Sequence, residues 1–170
     1  MKVKIFNVKE DSHVDAEISE ATKTNNTLPS LTDGWRFNFK KHSKTKGTKT
    51  YILVCEETSN VIEGCLIFQM KDSVEPYMAY IEIAPHNHGN NRKYDKVAGC
   101  LIAFACRLSF IHGEKDFKGW LAFDILEEDK LNEIRLMNFY SKRYNALRFG
   151  ETTMVIPPEG GEKLINEFLQ

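Results

Sequence analysis

The sequence predicts a single α/β domain with a mixed, mostly antiparallel twisted sheet flanked by helices. Its 170 residues suit one domain, and a chain of this length buries enough surface to fold without disulfide or metal staples. Three β-rich segments joined by short polar turns come first, and the second half alternates helical and strand patterns. Antiparallel strands followed by helix–strand alternation are typical of an α/β domain with a mixed sheet.

Composition and charge exclude several classes of protein. Apolar residues make up 42% of the chain and aromatic residues 11%, which excludes a wholly disordered chain. The apolar run at 100–106 is far shorter than the roughly 20 residues that span a bilayer, and the start of the chain lacks a signal-peptide pattern. We therefore expect a cytoplasmic protein. The 23 basic and 24 acidic residues leave a net charge of −1, which gives no support to binding of nucleic acid or membrane through overall charge.

Cysteine usage agrees with a reducing compartment. The chain has four cysteines, at positions 55, 65, 100 and 106, and none belongs to a C-x-x-C pair. Three of them lie inside apolar runs. We expect buried free thiols, because a disulfide framework is uncommon in a chain of this length without an export signal.

Residues 3–26 predict a strand followed by a helix, which Asn25 and Asn26 end. Residues 3–8 have the composition of a short strand. Ser12 can cap a helix that carries Val14, Ile18 and Ala21 on one face, at i, i+4 and i+7.

The segment after residue 30 has two interpretations. Trp35, Phe37 and Phe39 alternate as in a strand, yet Asp33 can equally cap a short helix there, and both interpretations stay open. The lysine-rich stretch at 40–49 is interpreted as a solvated loop in preference to an anion site.

Residues 51–84 predict an antiparallel meander of three strands. The strands are expected at 51–55, 61–69 and 77–84, and Pro85 ends the third. The intervening turns are short enough for hairpins, and Gly64 within the second strand suggests a bulge.

The second half predicts three helices and two strands. The helix at 97–111 is apolar around most of its circumference, which is typical of a central helix packed on a sheet, and Gly113 ends it. The remaining elements are a strand at 120–125, a helix at 131–143, a strand at 152–156 and a helix at 162–169.

Several common catalytic signatures are absent from the sequence. It contains no G-x-x-x-x-G-K-[ST], no G-x-G-x-x-G and no H-E-x-x-H pattern. His86 and His88 form an H-x-H pair, but no third ligand nearby completes a metal site, so we expect no metal. Ser109 lies within a helix without the glycines of a nucleophile elbow, which argues against serine hydrolysis.

The junction between the strand ending at Ala84 and the helix starting near Val97 is the most informative feature. The polar loop between them holds the cations Arg92, Lys93 and Lys96. Free backbone N–H groups at a helix start, flanked by cations, bind phosphate groups. An ordinary strand-to-helix connection has the same pattern, so residue chemistry alone leaves both interpretations open.

Here the sequence resembles a known family. The strand end I-E-I-A-P-H-N at 81–87 and the run K-Y-D-K-V-A-G-C-L-I-A-F-A at 93–105 resemble motif A of the GNAT superfamily of N-acetyltransferases, in particular bacterial GNAT-like proteins. The run N-F-Y-S-K at 138–142 resembles the later motif, in which a helix carries F-Y-x-K before a last strand. The resemblance covers about residues 51–169. It implies one GNAT-like acyl-CoA-binding domain over residues 1–170.

The resemblance implies acetyl-CoA as cosubstrate, with no metal. The family's pyrophosphate loop, R/Q-x-x-G-x-G/A, places Lys93 at the first position, Lys96 at the first glycine and Ala98 at the last. Lys96 departs from the pattern: its side chain either crowds the phosphate or pairs with it, and Gly99 allows a register shifted by one residue. The implied cofactor-binding residues are the backbone groups of Ile83 and Ala84 for the pantetheine arm, and Arg92, Lys93, Tyr94, Asp95, Lys96, Val97, Ala98 and Gly99 for the pyrophosphate.

The resemblance also implies two catalytic residues. Glu82 matches the general-base position of some family members, with a cross-strand polar partner as the alternative interpretation, and strand alternation would place it on one face with Tyr80 and Met78. Tyr140 matches the tyrosine that serves the departing thiolate in many members. The usual Gly-Phe after Y-x-K is replaced by Tyr144-Asn145, and asparagine tolerates the left-handed conformation.

The expected function is N-acetyl transfer from acetyl-CoA to an unidentified primary amine on a small molecule or a peptide. The alternative is a catalytically silent GNAT-fold module that binds acyl-CoA or regulates a partner, and a weaker third interpretation is an unrelated α/β protein with an anion-binding loop. We expect no nucleic-acid or membrane partner, and a homodimer is left open. The resemblance implies that the acceptor pocket is formed by residues 12–49 and 71–76. Both signs of charge occur there, so the sequence does not specify the class of acceptor.

Overall fold

In the computed structural model, which describes residues 1–169, nine strands form one mixed sheet. They are β1 (Lys2–Asn7), β2 (Ser12–Glu20), β3 (Thr48–Cys55), β4 (Ile62–Lys71), β5 (Glu75–Ile83), β6 (Tyr94–Asp95), β7 (Leu121–Asp124), β8 (Leu147–Arg148) and β9 (Thr153–Ile156). Their order across the sheet is β6-β1-β2-β3-β4-β5-β7-β9-β8. Neighbouring strands are antiparallel throughout the described chain except β5 and β7, which are parallel.

Four α-helices accompany the sheet within residues 1–169: α1 (Phe39–His42), α2 (Val97–His112), α3 (Lys130–Tyr144) and α4 (Pro158–Phe168). None of these helices is both long and apolar enough to cross a membrane. Alternate residues of β4 enter two separate cores, because successive strand side chains point to opposite faces. Leu66 and Phe68 pack towards α2, while Cys65 and Ile67 pack with Phe39 of α1.

The helix predicted to follow Ser12 is wrong, because that segment forms strand β2. Ala16 and Ile18 are buried, and Asp15 and Glu17 between them are exposed. This alternation has a period of two, which suits a strand that pairs with β1 on one side and β3 on the other. Val14, Ile18 and Ala21 also fit a helical spacing, but the segment does not form a helix.

Residues 31–49 contain a short helix and no strand before Thr48. A 3₁₀ turn at Leu31–Asp33 comes first, and α1 is capped by Asn38, whose side chain accepts a hydrogen bond from the Lys41 N–H, rather than by Asp33. The loop predicted at 40–49 is therefore helical at its start and belongs to β3 at its end. Tertiary packing decides this segment, because Trp35 and Phe39 enter the second core together.

The meander, the long apolar helix and the strand at 120–125 are confirmed with small changes at their ends. All four cysteines are buried free thiols, as predicted. The last helix begins four residues before the predicted position, at Pro158, because proline suits the first helical turn. Gly99 of α2 lets α4 approach that helix closely. A Cβ at Gly99 of α2 would lie 2.2 Å from the Phe168 ring of α4.

Two bulges shift the register of the meander. Leu53 pairs with Gly64 and Val54 with Ile62, so Glu63 is the extra residue of β4, next to the glycine predicted to carry the bulge. In β5, Ala79 is the extra residue, because Tyr80 pairs with Ile67 and Met78 with Phe68.

The bulge at Ala79 reverses the alternation of β5. Met78 therefore faces α2, whereas Tyr80 and Glu82 face the side of α1. The prediction that Met78 shares a face with Glu82 is wrong for this reason.

Candidate functional site

A cleft opens between β5 and β7. The two parallel strands are paired at Tyr77 and Ala122, and beyond that point they diverge. The space between them is a cavity of about 120 Å³. Its walls include Ala79 and Ile81 of β5, Phe123 of β7, and Leu136 and Tyr140 of α3.

Tyr140, for which the resemblance implies a catalytic role, lies in this cleft. Its ring packs against Phe123 with 5.0 Å between the ring centroids. Burial raises the pKa of Tyr140 to about 12. The phenol therefore keeps its proton at neutral pH and is available as a hydrogen-bond or proton donor.

The Glu82 carboxylate is engaged by the backbone of the segment before α1. Its Oε1 accepts a hydrogen bond from the Arg36 N–H at 2.7 Å, and its Oε2 accepts one from the Phe37 N–H at 3.0 Å. Arg36 and Phe37 both line the cleft between β5 and β7, and Glu82 is not among the lining residues. In this structure, Glu82 positions one wall of the cleft, and its role as a general base stays a prediction.

A second cavity, of about 350 Å³, lies on the α1 side of the sheet. It shares Ala79, Tyr80 and Asp124 with the cleft, so the two spaces meet at the bulge of β5. A molecule on the α1 side can thus approach one that lies between the strands. Sequence reasoning missed this cavity, because the segment that covers it, around Phe37 and His42, had no clear secondary-structure pattern.

Asp124, the last residue of β7, lines both cavities. Its Oδ2 accepts a hydrogen bond from the Tyr77 hydroxyl at 2.6 Å, and its Oδ1 accepts from Thr152 at 2.9 Å and Thr153 at 2.8 Å. Burial acts to raise the pKa of Asp124, but these hydrogen bonds and the charge of Lys71 outweigh it and hold the pKa below its ordinary value. Asp124 is therefore an anion at neutral pH. A single aspartate ending a short strand carries no sequence signal for this role.

The N-terminus of α2 has the features of an anion site. Lys96 precedes the helix with a φ of 70°, the left-handed conformation that glycine adopts most easily. The first backbone bond of the helix runs from the Cys100 N–H to the Lys96 carbonyl at 2.9 Å. The N–H groups of Val97, Ala98 and Gly99 consequently have no partner within the helix, and its first turn carries no acidic residue.

Other amides of the predicted loop are already occupied. The Lys93 N–H donates to the His86 carbonyl at 3.0 Å, the Tyr94 N–H to Asn87 Oδ1 at 3.0 Å, and the Lys96 N–H to Asp95 Oδ1 at 2.7 Å. The backbone N–H groups available to bind an anion are therefore those in the first turn of α2, a shorter segment than the predicted stretch 93–99.

Upstream of the loop, the backbone of β5 is also partly engaged. The Ala84 N–H donates to the Glu63 carbonyl at 2.9 Å, and the Ala84 carbonyl accepts from Asn87. The Ile83 carbonyl lies 3.0 Å from His88 Nε2. Ala84 therefore has no free N–H for a ligand in the cleft.

The three predicted cations each have a neighbour. Arg92 pairs with Asp95 at 3.2 Å, and the Lys93 ammonium lies 4.9 Å from the centroid of the Tyr94 ring. The Lys96 ammonium lies 2.9 Å from His13 Nε2 on β2. Lys96 is exposed, and its ammonium contacts His13 rather than the N-terminus of α2.

Behind this loop, a buried carboxylate holds the chain in place. Glu63 is fully buried, and its Oε2 lies 2.5 Å from His86 Nε2 and accepts a hydrogen bond from the Asn87 amide at 2.8 Å. Asn87 in turn accepts from the Tyr94 N–H. His86 thus contacts Glu63, and His88 contacts the Ile83 carbonyl. Within residues 1–169, no three His, Cys, Asp or Glu side chains come together to hold a metal ion.

Comparison with known proteins identifies the architecture. No family model matches the chain, and no curated protein matches it. Among solved structures, the KacTA–DNA complex is similar, with a TM-score of 0.57, 15% identity, and coverage of 89% of this chain and 99% of that chain. AtaTR bound with acetyl-CoA has a TM-score of 0.56 and 15% identity, covering 88% of this chain and 97% of that chain. The chain has the GNAT fold.

A third similar structure is a GNAT family acetyltransferase from Elizabethkingia anophelis with acetyl-CoA bound. Its TM-score is 0.48 and its identity 14%, covering 82% of this chain and 94% of that chain. The similarity to the KacTA–DNA and AtaTR structures confirms the GNAT fold that the resemblance at residues 81–105 and 138–142 predicted.

Proposed function

We propose that this GNAT-fold chain is an N-acetyltransferase that moves an acetyl group from acetyl-CoA to a primary amine by direct transfer. One observation carries the proposal. The cleft between β5 and β7 contains a protonated tyrosine, Tyr140, and meets a second cavity at the bulge residue Ala79. Two substrates can therefore meet at one point within the fold.

The residues of the chain suit the cosubstrate. The free N–H groups at the start of α2 would bind the pyrophosphate, because a helix N-terminus favours negative charge and no acidic residue stands in its first turn. The pantetheine arm would enter the cleft between β5 and β7. When bound, acetyl-CoA supplies an activated acetyl thioester. A similar structure, AtaTR, carries acetyl-CoA.

The bulge at Ala79 would stabilise charge in the transition state. An extra residue in one strand leaves backbone polar groups outside the ladder of hydrogen bonds. At the junction of the cavities, such an N–H can bind the thioester oxygen as it becomes negative. The amine nitrogen forms a bond to the carbonyl carbon and the carbon–sulfur bond breaks. Tyr140 gives a proton to the departing thiolate, and the proton that the nitrogen loses as the amide forms returns through solvent to the phenolate.

The amine must lose a proton before it attacks. An alkyl amine with a pKa of about 10.4 is almost wholly protonated at pH 7, and deprotonation over about 3.4 units costs about 4.6 kcal/mol. Glu82 was predicted to take this proton, but both its oxygens bind backbone N–H groups. We propose that the proton leaves through solvent at the α1-side cavity, with Glu82 positioning Arg36 and Phe37.

Two measurements test the proposal. A calorimetric titration should show CoA binding, and CoA at a hundred times its dissociation constant should stabilise the fold by about 2.7 kcal/mol. A turnover screen with acetyl-CoA against amino acids, polyamines, aminoglycosides and peptide N-termini should release free thiol. No heat and no shift in melting temperature with millimolar CoA would contradict the proposal.

The alternative is a catalytically silent module of the same fold that binds acyl-CoA. It predicts CoA binding without thiol release for every amine in the screen. The expectation that no nucleic acid binds rests on the net charge of −1, and a structure similar in fold contains DNA, so net charge does not decide this point.

A further inference from the structure

The α1-side cavity has a chemical character that specifies its ligand. Phe37 and Tyr80 form an edge-to-face pair on its wall, with 5.2 Å between ring centroids, and His42 stacks on Tyr80 at 4.3 Å. Aromatic faces attract cations and apolar carbon chains. Gln69 adds a neutral polar group.

Asp124 contributes the carboxylate of this cavity. Among the described residues that line it, no other is acidic and none is a lysine or an arginine. Outside the wall, the ammonium of Lys71 lies 3.5 Å from the centroid of the Tyr77 ring. Tyr77, Thr152 and Thr153 donate three hydrogen bonds to Asp124, and an ionised carboxylate offers about four acceptor sites, so one is open to a ligand.

The chemistry of transfer decides which group Asp124 binds. An ionised carboxylate next to an ammonium favours the protonated form of that ammonium. If Asp124 held the reacting nitrogen, it would oppose the loss of the proton that the attack requires. It assists the reaction when it holds a different cationic group of the same acceptor, a few bonds away from the reacting amine.

We propose that the α1-side cavity is the acceptor site and that Asp124 binds a second ammonium group of the acceptor, which makes diamines and polyamines the substrate class. This inference rests on the proposed acetyl transfer. It assigns Asp124 to binding, so replacing its carboxylate is expected to change acceptor affinity and acceptor choice.

Three amines of equal length test the inference. In calorimetric titrations, 1,4-diaminobutane should bind at least tenfold more tightly than 4-aminobutan-1-ol, and 4-aminobutanoate should bind most weakly. Each titration is made with and without saturating CoA, while CoA binding is measured separately. A failure of CoA binding then contradicts the proposed transfer, whereas the order of the amines tests the cavity alone. Equal binding of the three, no binding of the diamine, or tightest binding of 4-aminobutanoate overturns the inference.

Two variants locate the effect. Asp124→Asn should bring the diamine and the amino alcohol to similar affinities. Tyr77→Phe is the matched control, because it removes one donor to Asp124 and leaves the carboxylate, so the preference for the diamine should remain. A diamine preference that persists in Asp124→Asn overturns the assignment. If that variant does not fold, the order of the three amines in the wild type still decides.

Discussion

At the scale of single residues, Tyr140 carries the acid chemistry of the proposed reaction. Burial raises its pKa to about 12, so the phenol holds its proton until the thiolate departs. Tyr140→Phe should lower the turnover number by roughly ten- to a thousandfold and leave CoA affinity nearly intact. Steady-state kinetics and calorimetry measure the two quantities. Tyr144→Phe, one turn further along α3 and outside the cleft, is the matched control, and an unchanged rate in Tyr140→Phe removes the acid role.

Substitutions of Lys96 distinguish the effect of backbone strain from the effect of charge at this position. A residue with a side chain at φ 70° costs about 1–2 kcal/mol relative to glycine. Lys96→Gly should therefore raise the melting temperature above that of Lys96→Ala, which keeps a Cβ. Lys96→Glu should weaken CoA binding sharply, because it places a negative charge before the turn proposed to bind the phosphates. Dissociation constants at low and high salt test this, and equal CoA affinities of Lys96→Glu and Lys96→Ala would exclude the phosphate site.

At the scale of elements, the loop between β5 and α2 depends on two buried polar side chains. Asn87 bridges Glu63 and the Tyr94 N–H, so Asn87→Ala leaves buried polar groups unpaired and should cost about 1–3 kcal/mol of unfolding free energy. We expect CoA affinity to fall as well, because the loop leads directly to the start of α2. Urea unfolding and calorimetry report the two effects.

A second buried carboxylate provides the control for this loop. Glu133 on α3 is 4% exposed and pairs with Lys130, away from the loop. Glu133→Gln should lower stability with no loss of CoA affinity, whereas Glu63→Gln should lower both. Equal CoA affinity in the two variants would show that the network only stabilises the fold.

The contact between α2 and α4 requires glycine at position 99. A Cβ there would meet the Phe168 ring at 2.2 Å, so Gly99→Ala should destabilise the fold by about 1–3 kcal/mol through overpacking. Gly150→Ala, where the added Cβ meets its nearest neighbour at an ordinary 3.5 Å, is the matched control. Thermal unfolding compares them. A Gly99→Ala protein as stable as the wild type would mean that Phe168 moves aside freely.

At the scale of the whole molecule, the buried cysteine thiols make the free energy of unfolding fall as the pH rises above 9. Burial raises the pKa of Cys106 to about 12, and that of Cys100 to about 12 against a small opposing effect of Lys96. A folded-state pKa above the unfolded value of 9 adds stability that is complete below pH 9 and is lost as pH rises towards 12. Urea unfolding at pH 8 and pH 10.5 should show the loss. Cys106→Ala should flatten this dependence, and the same slope in that variant would contradict the cause.

Much of the sheet and its central helix followed from local pattern. Residues 51–84 alternate polar turns with β-branched and aromatic runs, and 97–111 repeat at helical spacing, so hydrophobic periodicity sufficed. Asn145 adopts the left-handed φ of 56° expected where the resemblance places a turn. Ser12–Glu20 misled because its apolar residues fit both periods, and only pairing with β1 and β3 made it a strand.

The sequence by itself determined the fold class, the strand–loop–helix junction with its open helix start, and the position of Tyr140 on a helix near the end of the chain. Each depends on residues close together along the chain. Tertiary structure alone decided the cavity beneath α1, the engagement of Glu82 by the backbone at 36–37, and the meeting of Tyr77 with Asp124. These contacts join residues about 45 positions apart, and which distant side chains meet depends on bulges and strand order that no local pattern encodes.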